Sequence, residues 1–348
     1  MPRLLRAILL GFLLAGFAQA NAAPAPLDEN RVAETAARAA ELPRIHALIV
    51  ALDGKPIVER VYRGPALDRP VNIKSASKSI ISALVGVAID RGMLRNVEQP
   101  ILPLLKKRVP GEMDPKVATI TVDHLLSMRS GLERTSGLQN YGRWVQSPNW
   151  VSFALSREFI DEPGGNMLYS TGNTHLLSAI LTDSTGTSTW DLARAWLGEP
   201  LQIAIPQWTR DPQGVYFGGN EMSLSPRDLL RFGELYRHGG MYQGKRIVSE
   251  DWVRASWTVR TIDNSGRAYG YGWFIAEAHG YAVYYAWGFG GQMLYVVPDL
   301  GLTVVVTSDT NTRSAVDNHL CKLHDLVANG FMPAVMENPP RIVDGSVC

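Results

Sequence analysis

The chain changes its hydrophobic rhythm twice. ENRVAETAARAAEL, from residue 29, places small apolar residues at helical spacing and stops before Pro43. RIHALIVALDGKPIVERVYRG then alternates apolar and polar positions around Asp53 and Gly54, which predicts a β-hairpin. A helical period returns in NIKSASKSIISALVGVAIDRGML, where Ile80, Leu84, Val87 and Ala88 share a face and Gly92 marks the stop. From about 101 to 259 the pattern stays helical and loop-like. TVDHLLSM, NWVSFALS, THLLSAIL, STWDLARAWL and SPRDLLRFGELYRHG each carry an apolar face, several behind Ser, Thr or Asn caps. Strand character resumes in YGYGWFIA, YAVYYAW and GQMLYVVPDLGLTVVVTS, which are aromatic and β-branched with turns at Gly280 and 298–301. The closing SAVDNHLCKLHDLVANGF puts Val316, Leu320, Leu323 and Val327 on one stripe that ends at Gly330.

Strands at both ends with helices between them predict an α/β plus α fold. One antiparallel sheet is completed by N- and C-terminal parts, flanked by N- and C-terminal helices, with an inserted helical lobe. The sheet lobe takes about 27–79 and 265–332, the helical lobe about 80–264, and 333–348 form a tail. A cleft between such lobes favours a small-molecule site. The first twenty residues stand apart. MPRLLRAILLGFLLAGFAQA carries Arg3 and Arg6, an apolar run and the small-x-small Ala18-Gln19-Ala20, the pattern of a cleaved secretory signal. An N-terminal anchor is the alternative, but the apolar stretch 7–18 falls short of the about 20 residues that a spanning helix needs. The expectation is an exported protein, periplasmic or secreted, whose domain occupies 21–348 with no stable membrane span.

Cleavage there removes two of the 34 basic residues against 33 acidic ones and leaves one net negative charge. The remaining lysines and arginines are scattered, so no nucleic-acid partner is expected, and a small or neutral molecule fits better. Oligomeric state leaves no mark in the sequence. Two cysteines, Cys321 and Cys348, fall late in a chain read as exported, and a bridge between them would close a 27-residue loop worth about 3 kcal/mol. A buried Cys321 thiol beside a free tail is the alternative. His319, Cys321 and His324 share one short segment, but their spacing suits a helix with core and surface faces, and neither metal nor cofactor is expected.

Ser75 and Lys78 form the single Ser-x-x-Lys in the chain. The bland account is a serine cap followed by a solvated lysine. Residues three apart share a helix face, however, so the amine can reach the hydroxyl; beside an apolar helix that lysine loses solvation and its pKa falls, which lets it accept a proton. EPGGNMLYSTGNTHLLSAIL places Tyr169 in a loop with Ser170, Thr171 and Asn173 before another apolar helix, although packing is the usual fate of such a tyrosine. AWGFGGQMLYVV sets glycines on a strand, a sign of a bulge or close backbone approach.

The order Ser-x-x-Lys, Tyr-Ser-x and Gly-x-Gly-Gly-Gln resembles the serine hydrolase family of class C β-lactamases, D-Ala-D-Ala carboxypeptidases and related esterases and 6-aminohexanoate-dimer-type amidases. ITVDHLLSMRSGL, GGNEMSLSPRDLLRFGELY and GGMYQGKRIVSEDWV are also similar to that family, so the resemblance covers most of the mature chain. It implies a β-lactamase/transpeptidase-like fold and an acyl ester on Ser75. Lys78 would help deprotonate the nucleophile and Tyr169 would shuttle protons, with the acylation base open between them. The backbone N–H groups of Ser75 and Phe289 would form the oxyanion hole, and Trp287, Gly288 and Asn173 would meet the substrate. Two positions depart from the family. Thr171 stands where Asn is common, with Asn173 a substitute, and Ala286-Trp287-Gly288 lacks the usual Lys or His that would hold a substrate carboxylate. An arginine from the helical lobe is one replacement. The expected activity is hydrolysis of a small ester or amide, with a β-lactamase or D-Ala-D-Ala carboxypeptidase as the alternative and a non-catalytic binding or sensor protein as the rival class. No Gly-x-Ser-x-Gly elbow or His-Glu-x-x-His occurs to suggest another hydrolase.

Overall fold

A computed structural model describes residues 27–105, 108–109, 111–311 and 318–339. The expected signal at 1–20, Val316 and Cys348 lie outside them.

Helix α1 (Glu29–Glu41) opens on Asp28, whose carboxylate accepts the Arg31 N–H at 3.0 Å. Strands β1 (Ile45–Leu52) and β2 (Lys55–Val61) form the predicted hairpin, turned through Asp53 (φ 50°) and Gly54 (φ 77°). After β3 (Val71–Asn72) a single tight turn at Lys74–Ala76 leads into α2 (Ser77–Asp90). Helices α3 (Val122–Leu126), α4 (Leu138–Val145), α5 (Trp150–Leu155), α6 (Thr171–Thr185), α7 (Thr189–Ala193) and α8 (Glu199–Leu201) build the helical lobe. Strand β4 (Ser223–Leu224) returns to pair with β3. The chain continues through α9 (Pro226–Arg237), the small hairpin of β5 (Met241–Tyr242) and β6 (Lys245–Arg246), and α10 (Glu250–Ser256). Strands β7 (Thr261–Ile262), β8 (Ala268–Tyr269), β9 (Phe274–Ala278), β10 (Tyr281–Gly288), β11 (Gln292–Val297) and β12 (Leu302–Ser308) then follow, with α11 (His319–Asp325) after them.

The large sheet is antiparallel, in the order β2-β1-β12-β11-β10-β9-β8-β7. Its N-terminal hairpin zips onto the last strand, from Leu52 opposite Leu302 to Ile45 opposite Ser308. Period-two alternation divides β11 between two cores: Met293, Tyr295 and Val297 pack with α1 and α11, whereas Leu294 and Val296 pack with α2, α6 and α9. Helix α2 is buried on nearly every side from Ser77 to Ala88, as a helix apolar all round must be.

Several expectations change. Helix α9, assigned by sequence to the helical lobe, lies on the sheet: a Cβ at Gly233 would sit 2.6 Å from Leu294 Cδ1 and 2.8 Å from Thr303 Cγ2. Glu234 reinforces that seat by accepting the Thr303 hydroxyl at 2.6 Å. YGYGWFIA is two strands rather than one, broken at 270–273, because the break brings Gly272 O to the Ser79 hydroxyl at 2.6 Å and so fastens α2 to the sheet. Helix α4 was not foreseen. The C-terminal helix passes into a wider turn at Leu326–Phe331 instead of stopping at Gly330. The tail expected from 333 begins later, since Pro333, Ala334 and Val335 are buried and Ala334 O accepts the Asp28 N–H at 2.9 Å.

Candidate active site

The segment before α2 is pinned from several sides. Ile73 N–H bonds to Met222 O at 3.0 Å, the Asn72 carboxamide oxygen accepts Lys74 N–H at 2.9 Å, and the Ser77 hydroxyl donates to Lys74 O at 2.7 Å. These bonds hold Lys74 in a left-handed conformation (φ 51°), which costs a non-glycine residue about 1 kcal/mol or more. Ser75 follows inside the tight turn. It does not cap the helix: Ala76 holds the N-cap position without any side-chain bond. The Ser75 hydroxyl faces Lys78 instead, with Nζ at 3.0 Å.

Lys78 is 1% exposed, and its Nζ also reaches Thr171 Oγ1 at 3.2 Å and Gly219 O at 2.7 Å. Burial lowers its pKa from 10.5 to about 7, because no carboxylate compensates the lost hydration. Thr171 is steadied in turn by Ser136, whose oxygen accepts the Thr171 N–H at 2.8 Å and lies 3.0 Å from Thr171 Oγ1. The family's third-position Asn is therefore replaced by Thr171 itself. Asn173, offered by sequence as the substitute and as a substrate contact, is corrected: Lys78 Nζ bonds Thr171, whereas Asn173 is 3% exposed and its Oδ1 accepts from Ser130 at 3.0 Å.

The Tyr169 ring centroid lies 5.1 Å from Lys78 Nζ, and its hydroxyl is near enough to Ser75 for the serine to lower the phenol's pKa. Burial of the hydroxyl raises its pKa to about 12, outweighing the lowering influences of Ser75 and Arg267, although the residue as a whole is only half-buried. The ring stacks on Phe274 at 6.2 Å, and Phe274 meets Trp287 at 5.5 Å, so the three form one aromatic wall. The expectation of an uncharged wall is corrected here. Arg267, from the loop between β7 and β8 rather than the helical lobe, places its guanidinium carbon 5.0 Å from the Trp287 ring centroid. Asp263 already holds that guanidinium, at 2.8 Å from Nε and 2.7 Å from Nη2.

Each residue of Gly-Phe-Gly-Gly-Gln has a physical task. A Cβ on Gly288 would sit 2.1 Å from Ile73 O, so only glycine lets β10 approach the Ser75 turn this closely. Gly290 (φ 86°) and Gly291 (φ 97°) make the left-handed turn. Gln292 ties the next strand to β12, donating to Ser308 O at 2.6 Å and accepting Ser308 N–H at 3.2 Å. The Phe289 side chain is 60% exposed, and the role expected of this residue is that of a backbone donor. Gly288→Ala is expected to push the turn off Ile73 and lower kcat about a hundredfold through the displaced Phe289 amide. Steady-state kinetics of the folded variant checks this; unchanged kcat would refute the expected oxyanion role of the Phe289 amide.

Sequence reasoning missed Ser136, Gly219 and Arg267. The local pattern Asp263-x-x-x-Arg267 around Ser265-Gly266 could have suggested the ion pair but not its place beside Trp287. His319 and His324 bond to Ser308 Oγ at 3.0 Å and Tyr295 OH at 3.1 Å, so both serve packing between helix and sheet. Cys321 is not a free thiol, while its expected partner lies outside the described residues. A cavity of about 440 Å³ between the sheet and the C-terminal helix includes Arg267 and His324 in its lining but none of Ser75, Lys78 or Tyr169, so it is separate from these three.

Comparison with known proteins bears on the family and the fold. A family model described as Beta-lactamase matches residues 46–326. A 6-aminohexanoate-dimer hydrolase from Paenarthrobacter ureafaciens is 26% identical over 221 residues, which take in 59% of this chain and 55% of the relative. The matched part thus spans little more than half of that relative's length. Among solved structures, EstCE1, described as a hydrolase with promiscuous acyltransferase activity, superposes with TM-score 0.70 at 17% identity over 86% of this chain and 98% of its own. A D-stereospecific amidohydrolase from Streptomyces sp. gives TM-score 0.63 at 18% identity over 80% of this chain and 93% of its own. These two likenesses establish the fold.

Proposed function

Because the chain belongs to the beta-lactamase family, we propose that it is a serine hydrolase that forms an acyl ester on Ser75 from a small ester or amide. The observation that carries the proposal is the 3.0 Å contact of a buried, weakly basic Lys78 with Ser75. With the amine near 7 and the phenol near 12, Lys78 is the base available at neutral pH and Tyr169 remains a proton donor. The uncharged amine takes the Ser75 proton as Oγ bonds to the substrate carbonyl carbon. The backbone N–H groups of Ser75 and Phe289 hold the resulting oxyanion. Collapse of that intermediate breaks the bond to the leaving oxygen or nitrogen, which receives a proton through Tyr169. Water then attacks the acyl ester, gives up a proton to the same base system, and releases the acid while Ser75 Oγ is reprotonated.

The names of the relatives, a dimer hydrolase, an acyl-transferring hydrolase and an amidohydrolase, all involve acyl groups and support the same chemistry. A non-catalytic binder of the same fold would have no use for a lysine kept weakly basic against a serine. Intact mass after exposure to a fluorophosphonate separates the two: one adduct mapping to Ser75 is expected, and no adduct on folded protein would favour the binder.

The wall of Tyr169, Phe274 and Trp287 suits an acyl or alkyl group. Arg267 is the cation beside it, and a substrate carboxylate would have to displace Asp263 to use it. The protein is therefore expected to prefer p-nitrophenyl butyrate to a chromogenic cephalosporin by about tenfold or more in kcat/KM, the worth of one charge-assisted hydrogen bond. A cephalosporin value equal to or above the ester value would refute this preference. Export is part of the same reading, with residues 1–20 as the signal. N-terminal sequencing of protein recovered outside the cytoplasm should begin at Asn21, and retention of Met1 would overturn it. Among the described residues no helix is long and apolar enough to cross a membrane.

A further inference from the structure

An uncharged lysine amine has two N–H bonds and one lone pair, and its surroundings decide which way the lone pair points. Gly219 O can only accept, so at 2.7 Å it takes one N–H of Lys78 permanently. The Thr171 hydroxyl, held against Ser136, accepts the other at 3.2 Å. The lone pair is left facing the Ser75 O–H. Whatever fixes Gly219 O therefore aims the base.

Gly219 has no side chain with which to anchor itself, and none would fit: in its left-handed conformation (φ 83°) a Cβ would lie 2.3 Å from Thr174 Oγ1 and 2.8 Å from Lys78 Cγ. Neighbours on α6 hold the preceding peptide instead. The Thr174 hydroxyl shares its one proton between Thr171 O at 3.0 Å and Gly218 O at 3.1 Å, and Gly218 N–H donates to His175 Nδ1 at 3.4 Å. A backbone N–H only donates, so Nδ1 is the acceptor and the ring proton sits on Nε2, which donates to Asp211 Oδ2 at 3.1 Å. Asp211 is itself fixed, its Oδ1 accepting Gln213 N–H at 2.9 Å and Val215 N–H at 2.8 Å. Both side chains of the pair are 0% exposed, and Trp144, Trp150 and Phe217 surround the imidazole.

We propose that the buried His175–Asp211 pair is a positioning device for Lys78, fixing through Gly218 and Gly219 the carbonyl that directs the lysine lone pair at Ser75. The proposal rests on the reading of Ser75 and Lys78 as nucleophile and base. His175 touches no reacting atom and acts only through the two glycines. Around Lys78 the other titratable or charged groups are Tyr169, on the loop before α6, and the Lys74–Glu221 ion pair, joined at 3.1 Å between the Ser75 turn and the segment after Gly219. Around His175 the charged group is Asp211.

Two substitutions divide the pair's contacts. His175→Gln keeps a donor for Asp211 but offers Gly218 no acceptor, whereas His175→Asn keeps an acceptor at the Nδ1 position and gives up Asp211. His175→Gln is expected to lower kcat about tenfold or more with KM little changed, as a misaimed base would. The acid limb of its pH profile should move to lower pH, because an ammonium that has lost its carbonyl acceptor is harder to keep charged. His175→Asn should retain kcat and the limb while losing thermal stability. If both variants lose activity only in proportion to their folded fraction, with the limb unmoved, the pair is merely structural and the proposal fails. The Lys78 13Cε resonance is titrated in the same proteins, since it needs no substrate. Wild type without turnover would count against the hydrolase reading, whereas a Lys78 titration identical in wild type and His175→Gln would overturn the positioning role whatever the turnover.

Discussion

Ser75→Ala and Lys78→Met are each expected to lower kcat/KM for a small ester by at least about a hundredfold, and the double variant to lose little more than either single one. In the proposed mechanism Ser75 supplies the bond-forming oxygen and Lys78 the place for its proton, so removing either ends the same step. Both substitutions leave the surrounding packing largely in place, because Met fills most of the volume of the lysine stem. Stopped-time ester assays with circular dichroism as a folding control check this. Near-normal turnover in Ser75→Ala would exclude the acyl-enzyme. In wild type, activity should fall as pH drops below about 7, where Lys78 gains its proton and ceases to be a base.

The same lysine should make the protein less stable than it need be. A pKa lowered from 10.5 in the unfolded chain to about 7 in the folded one means that the unfolded state binds the extra proton between those values. Stability from this group therefore falls as pH drops from 10.5 to 7 and is flat below, a cost of about 5 kcal/mol at full extent. Lys78→Met removes that cost but leaves Gly219 O without a donor, which returns about 1–3 kcal/mol. A net gain of about 2–4 kcal/mol is expected near pH 6, shrinking as pH rises toward 10. Urea denaturation of the two proteins at several pH values measures the difference directly. A variant no more stable than wild type at pH 6 would mean that Lys78 is not held as a weak base.

The sequence carried the parts of the site that depend on local spacing. Ser75 and Lys78 lie three apart on one helical turn, the β1–β2 hairpin follows from alternation, and the glycines after Trp287 announce close backbone contact. What it did not carry depends on groups that look alike in every sequence or meet only in space. Gly219 acts through a carbonyl, which every residue possesses. Thr171 and Asn173 are both polar and both in the first turn of α6, and only the position of Lys78 decides between them. Arg267 and Asp263 read as an ordinary surface pair until the loop is laid over Trp287. Helix α9 has the same amphipathic pattern whether its partner is a helix or a sheet, so its place on β11 and β12 could not be told from periodicity.

The sheet order also sets when this protein can fold. Strand β1 lies between β2 and β12, so the hairpin at 45–61 obtains its inner neighbour only when residues 302–308 are present. Pairing across so long a stretch of chain is entropically late and slow. Gly288, on the sheet built by those last strands, is also what presses against the Ser75 turn. An emerging chain thus cannot complete the contact between Gly288 and the turn that carries Ser75 until the strands at 281–308 have been made.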